Sequence, residues 1–131
     1  SRGLIILTND GRLTDRLLNP KYDHEKEYEV EVDRSLSEHD LKLLERGVVI
    51  EGYKSKPTKV HRLDERKISI TLTEGKKHQV RRMLAALGPA VRDLKRIRVM
   101  NIKLENLKEN VAREIKGTEL TALLESIGLS N

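Results

Sequence analysis

Residues 71–83 read Thr-Leu-Thr-Glu-Gly-Lys-Lys-His-Gln-Val-Arg-Arg-Met, and this stretch decides the fold. Ile68, Ile70 and Leu72 lead into it at alternate positions, the period of a half-buried strand. Gly75 interrupts that pattern. From His78 onward Val80, Met83, Leu84 and Leu87 fall at i, i+3, i+4 and i+7, which predicts a helix over residues 78–87 ended by Gly88-Pro89. The junction carries Lys76, Lys77, His78, Arg81 and Arg82. Clustered positive charge where a strand turns into a helix suits a polyanion. Arg81 and Arg82 flank the apolar stripe rather than oppose it, so at least one is expected at the rim of a cleft.

Working outward, the pattern predicts irregularly interleaved strands and helices. Residues 4–7 (Leu-Ile-Ile-Leu) form a continuous apolar run, expected to be a strand buried on both faces, and residues 8–11 a turn. Leu13, Leu17 and Leu18 predict a short helix stopped by Asn19-Pro20. Residues 26–33 alternate cleanly, with Tyr28, Val30 and Val32 on one face and Glu27, Glu29 and Glu31 on the other. Ser35 and Glu38 suggest a capping box for a helix reaching Arg46, ended by Gly47. Residues 48–50 and 58–63 are predicted strands around a polar connection. Residues 67–73 are predicted to complete an antiparallel hairpin with the second of these. Residues 91–104 are strand-like with a basic centre, and Thr118 is expected to cap a last helix carrying Leu120, Leu123, Leu124 and Ile127. Short hairpin connections favour an α+β fold with a mainly antiparallel or mixed sheet over a doubly wound one.

Composition narrows the function. The 131 residues carry a net charge of +5, but residues 75–98 hold eight cations against Asp93 alone, a net of +7. The remainder is therefore −2, so basicity is regional, as on a nucleic-acid-binding face. Basic runs on helices are often only solvated faces, and composition by itself leaves both options open. Phe and Trp are absent, so Tyr22, Tyr28 and Tyr53 are the aromatic rings able to stack a base, which excludes an aromatic-rich RNA platform. No apolar run is long enough to span a bilayer. The absence of cysteine excludes disulfides and thiolate metal sites and fits a reducing, cytoplasmic interior. His24, His39, His61 and His78 are not at metal-ligand spacing.

Four segments together resemble the RsuA/RluB/RluE/RluF group of ribosomal RNA pseudouridine synthases. They are Gly3-Leu-Ile-Ile-Leu-Thr-Asn-Asp-Gly11, Lys26-Glu-Tyr-Glu-Val-Glu-Val32, Thr73-Glu-Gly-Lys-Lys-His-Gln-Val-Arg-Arg-Met83 and Leu94-Lys-Arg-Ile-Arg98. The resemblance implies an isomerase that detaches a chosen uracil, turns it and rejoins it through carbon 5, with no cofactor or metal. It implies that Arg81 pairs with the catalytic aspartate, that Tyr28 stacks on the extruded uracil and that Leu4 lines the same pocket. Lys76, Lys77, His78, Arg82, Lys95 and Arg96 are expected phosphate contacts, from charge and position. Each has a plainer alternative: Arg81 as a structural ion-pair partner, Tyr28 as core, His78 as surface.

One part of the family pattern departs. The family nucleophile is the aspartate of a Gly-Arg-Leu-Asp-x-x-(Ser/Thr)-x-Gly segment, and Ser1-Arg2-Gly3 matches only its tail. Arg62-Leu63-Asp64 has similar letters but is followed by Glu65-Arg66, which suits a hairpin turn, and Asp10 belongs to the turn after the apolar run. Residues 1–131 are therefore expected to be the C-terminal portion of a catalytic domain, cut just after its nucleophile, without the family's S4-like RNA-binding domain, and inactive alone. Missing N-terminal strands are expected to leave an unpaired sheet edge that favours self-association. The resemblance makes ribosomal RNA the partner, the Arg81-Arg82-Met83 sequence favouring the large subunit. The alternative is a non-catalytic RNA-binding module of the same fold.

Overall fold

The computed structural model of the chain describes residues 2–19 and 22–129. Ser1, expected in the tail of a motif, and Pro20, expected to stop a helix, lie outside the described residues. The elements in chain order are β1 (Arg2–Gly3), α1 (Gly11–Leu18), β2 (Lys26–Val32), α2 (Glu38–Arg46), β3 (Val49–Ile50) and β4 (Tyr53–Lys54). They continue as β5 (Lys59–Asp64), β6 (Lys67–Leu72), α3 (Gln79–Leu87), β7 (Val91–Val99), β8 (Ile102–Lys103) and α4 (Gly117–Ser126). The main sheet runs β1-β7-β2-β6-β5, with β8 also paired to β7, and β3-β4 forms a separate small hairpin. Among the described residues only β1 against β7 is parallel; the other pairings are antiparallel. The α+β class with a mostly antiparallel sheet is as expected.

Alternation in β2 sets the layers. Val30 and Val32 turn to one face and are fully buried, together with Ile68 and Ile70 of β6 and Leu94 of β7. Leu41 and Leu44 of α2 and Val80, Met83 and Leu84 of α3 cover that face, and Tyr28 packs against the edge of the same cluster. The other face carries Glu27, Glu29, Lys67 and Arg98, joined by ion pairs. A second, smaller core joins Leu4 and Leu13 to Val99, Ile102, Leu123 and Ile127 at the far end of β7.

Several local expectations shift. The run 4–7 is not a strand buried on both faces: pairing stops at Gly3, and Ile5 and Leu7 are exposed. The reason is competition for one edge. β1 reaches only Lys95 and Arg96, and beyond them β8 takes the same edge of β7, opposite Arg98 and Val99. Leu4 and Ile6 can then turn into the second core while their neighbours face outward. The capping box belongs to Ser37 and Asp40, whose side chains each accept from the other's backbone N–H; a box needs the acceptor three residues on, and Asp40 supplies it. The last helix starts at Gly117 with Lys116 as its cap residue, so Thr118 lies inside it. The connection 51–57 contains β4, folding back on β3.

Met83 is fully buried between α3 and the sheet. Met83→Ala is expected to cost about 2–5 kcal/mol of stability in urea unfolding, the range for emptying such a site. A loss below about 1 kcal/mol would show that α3 does not depend on this side chain.

Candidate functional site

Two strands and the chain start build a depression of about 200 Å³ lined by Arg2, Gly3, Leu4, Tyr28 and Arg96. Tyr28 lies opposite Arg96 in the β2–β7 register, and Gly3 lies opposite Arg96 on the other side of β7. Gly3 has φ of +112°, and a Cβ there would fall 2.3 Å from the carbonyl oxygen of Arg96. Only glycine lets the backbone come this close. Leu4 then donates its N–H to Arg96 O at 2.8 Å, and Arg96 Nε donates back to Leu4 O at 2.8 Å. The guanidinium is thus fixed beside the tyrosine ring by the segment that forms the opposite wall. Among the described residues no carboxylate lines this depression.

A register shift in β7 decides which cations share this side. Arg96 pairs with Tyr28 but Arg98 pairs with Glu27, leaving Ile97 as an extra residue. In a regular strand Arg96 and Arg98 would point the same way; the bulge sends them to opposite faces. Arg98 accordingly binds Glu27 at 2.9 Å on the acidic face. Lys95, opposite Glu29, faces that way too. Of the adjacent pair expected to contact phosphate, the structure brings Arg96 into the depression and turns Lys95 away from it.

Lys26 is a member of this site that the sequence reading missed. It sits on the same side of β2 as Tyr28, and burial, then the neighbouring Arg96, pushes its amine below the usual lysine range. Two cations held together, one half-buried, form a place where an anion is favoured. The signal was available, since Lys26 is two residues from Tyr28 on an alternating strand, but its closeness to Arg96 depends on the β7 register. The 73–78 loop closes over it, for a Cβ on Gly75 would lie 3.7 Å from Lys26 Nζ.

That loop is organised by Glu74, also missed. Its carboxylate accepts from Tyr53 Oη, from Lys56 N–H at 2.6 Å and from Gln79 Nε2 at 2.9 Å. Gln79 is buried and also accepts the Lys76 N–H at 3.2 Å. Burial opposes the Glu74 charge, but hydrogen bonds from Tyr53, Lys56 and Gln79 outweigh it and hold the carboxyl below its usual range. Beside that carboxylate the Tyr53 hydroxyl is pushed up, which keeps its proton in place as donor. His78 completes the turn in the left-handed region, φ +54°, directly before α3.

The remaining candidates divide. Lys76, Lys77 and His78 are exposed on the loop. Arg82 lines a second depression with Tyr53 and Lys76 and makes a loose ion pair with the exposed Glu51. Arg81 is half-buried on the helix that covers the Tyr28 face of the sheet, so the two lie on the same side. It does not line the Tyr28 depression, and among the described residues no carboxylate pairs with it. A structural ion pair, the plainer alternative for Arg81, is not what these residues form.

Comparisons with known proteins point to one family. The model of a family described as RNA pseudouridylate synthase matches residues 1–86. Dual-specificity RNA pseudouridine synthase RluF of Escherichia coli (strain K12) is 38% identical, with 97% of this chain and 44% of that protein covered. Ribosomal small subunit pseudouridine synthase A of Haemophilus influenzae is 35% identical, covering 93% of this chain and 54% of that one. A crystal structure of a pseudouridylate synthase superposes with a TM-score of 0.83 at 34% identity, over 88% of this chain and 52% of the other. The chain belongs to the RNA pseudouridylate synthase family, within its RsuA/RluF branch. It spans about half the length of the curated relatives it matches.

The Glu74 hydrogen bonds make a pH prediction. A depressed folded pKa means the contribution is present above the ordinary glutamate pKa and lost as pH falls through the lowered one. The Lys56 backbone amide resonance is expected to titrate with a midpoint below about 4.3, the usual glutamate value. A midpoint at or above that value would show that the carboxylate is not held by these donors.

Proposed function

We infer that this chain is the C-terminal portion of the catalytic domain of a ribosomal RNA pseudouridine synthase, working in the cytoplasm. The observation that carries the reading is the single depression shared by Leu4, Tyr28 and Arg96, on the side of the sheet covered by the helix of Arg81. In the reaction, the bond from ribose C1′ to uracil N1 breaks and a bond from C1′ to C5 forms. The C5 proton is released and N1 takes one up, so product and substrate are isomers and no oxidant is needed. A uridine in a stack is out of reach, and extruding it costs a few kcal/mol. The Tyr28 ring, with Leu4 as the facing wall, supplies a surface on which the freed base can stack.

The nucleophile of this chemistry is a carboxylate, and none among the described residues lines the depression. The family motif aspartate has no counterpart in the 131 residues, so they are expected to lack turnover on their own. Arg81, half-buried and with no carboxylate partner among the described residues, is suited to pair with that aspartate and keep it ionised. Lys26, Lys76, Lys77, Arg82 and Arg96 offer charge for the flanking phosphates, and His78 offers a ring N–H. Large-subunit RNA is favoured by Arg81-Arg82-Met83, although one of the similar relatives is named for the small subunit.

Tritium release from ribosomal RNA labelled at uridine C5 tests the activity. A version that carries the motif aspartate is expected to release tritium and the 131-residue chain to stay at background; release by the chain alone would refute its inactivity. In the active version Arg81→Ala is expected to abolish turnover with RNA affinity nearly unchanged, and a large loss of affinity with retained turnover would reject its role. Lys76→Ala with Lys77→Ala is expected to weaken binding and to reduce the salt slope by up to about 0.9 for each phosphate no longer neutralised. An unchanged slope would remove both lysines from the interface.

The two-residue edge strand β1 and the exposed Ile5 and Leu7 beside it favour pairing with another segment or a second copy. Sedimentation is expected to show concentration-dependent association of the 131-residue chain. A concentration-independent monomer would exclude it.

A further inference from the structure

The second depression, about 180 Å³, lies between the β3–β4 hairpin and the start of α3, and shares no lining residue with the first. Its wall is Tyr53, 36% exposed, the most exposed large aromatic among the described residues. An exposed tyrosine on a short hairpin would ordinarily sample several rotamers. Tyr53 does not have that freedom, because its hydroxyl is tied to Glu74, which is in turn tied to Lys56 N–H and Gln79. The ring is therefore a fixed plane. Lys76 Nζ stands over it at 4.1 Å from the centroid, and Arg82 lines the same depression.

A rigid aromatic ring, with the Lys76 ammonium over one face and Arg82 lining the same depression, matches the needs of one unpaired nucleotide. The base stacks on the ring, and its phosphate meets an ammonium or guanidinium. Apolar contact comes from Ile50 and the Tyr53 ring, while Lys76, Arg82 and Glu51 put charge around them, as a base with its phosphate requires. The same loop links this place to the first depression, since Gly75 abuts Lys26 beside Arg96 while Lys76, one residue on, reaches Tyr53. Nucleotides on either side of a flipped uridine would pass close to this loop.

We propose that Tyr53, with Lys76 and Arg82, is a second nucleotide subsite that stacks an unpaired base neighbouring the uridine held at Tyr28. It rests on the RNA-modifying role proposed above and adds to it a stacking position that reads the single-stranded context of the target. Tyr53→Phe keeps the ring as a stacking surface and loses the tie to Glu74 that fixes its orientation. Tyr53→Ala removes the plane and keeps every cation.

Fluorescence anisotropy with labelled single-stranded RNA tests the subsite, using one target uridine flanked by purines and matched strands abasic at each flank. Tyr53→Ala is expected to weaken binding to the intact strand between about five-fold and about a hundred-fold, the range of one base–aromatic stack. Tyr53→Phe is expected to stay within about three-fold of the parent chain, since the ring is retained. The salt slope should be unchanged in both, because every phosphate-binding cation is kept. Against a strand abasic at the contacted flank, the Tyr53→Ala penalty should vanish. The parent chain alone should lose affinity on that same strand, which keeps the test independent of how the variants fold. An equal penalty on intact and abasic strands would overturn the subsite, as would none on either. So would inorganic polyphosphate competing as well as RNA of equal charge, which would mean a charged patch only. If RNA binding persists while Tyr53 is silent, only the subsite falls. If the parent chain binds no RNA, the RNA-modifying role falls with it.

Discussion

One extra residue in β7 governs the chemistry of both faces of this sheet. Between Arg96, opposite Tyr28, and Arg98, opposite Glu27, the bulge at Ile97 reverses the direction in which the next side chain points. Without it Arg98 would share the Tyr28 side, and Glu27 would face no guanidinium across the β2–β7 pair. With it, Arg96 is the guanidinium of β7 that lines the depression with the ring, braced by Leu4 and able to meet an outside anion.

The bulge also sorts the charge. On the far face Arg98 meets Glu25 and Glu27, Lys59 meets Glu25 and Lys67 meets Glu29. The more exposed of these, Lys59 with Glu25 and Lys67 with Glu29, contribute about 0–1 kcal/mol each, so stability is not their main effect. They neutralise cations where no ligand is wanted. On the near face Lys26 and Arg96 are pressed together with no acid between them, and Arg81 is similarly unpaired among the described residues. Regional basicity thus becomes a one-sided positive potential. A strand with strict alternation and no bulge could not divide one arginine-rich run in this way.

Rigidity in the basic loop has a separate origin. His78 at φ +54° is a costly conformation for a residue with a Cβ, about 1–2 kcal/mol. The loop around it is held by the Glu74 carboxylate and by buried Gln79, which between them satisfy Tyr53, Lys56 and Lys76. Exposed lysines usually give up entropy on binding; here their backbone is already positioned, so less is forfeited when a phosphate arrives. The small β3–β4 hairpin, which has little core of its own, matters because it brings Tyr53 and Lys56 to that carboxylate.

What the amino-acid sequence determined by itself is the content governed by local periodicity. The 3.6 spacing of Val80, Met83, Leu84 and Leu87, the alternation from Lys26 to Val32 and the hairpin of β5 and β6 all appear where their patterns put them. The α+β class and the family follow from those same segments in order. Properties that depend on partners far along the chain were decided only by tertiary structure. The apolar run 4–7 lost its strand character because β8, nearly a hundred residues on, holds the edge it would have used. Strand alternation puts Lys95 and Arg96 on opposite faces, but which of them joins Tyr28 is set only by the register against β2. Glu74 shows no local sign of its task, since two of its three donors, Tyr53 and Lys56, come from the hairpin region. Periodicity acts within a few residues, while register, edge competition and carboxylate capture act between segments that meet only once the chain has folded.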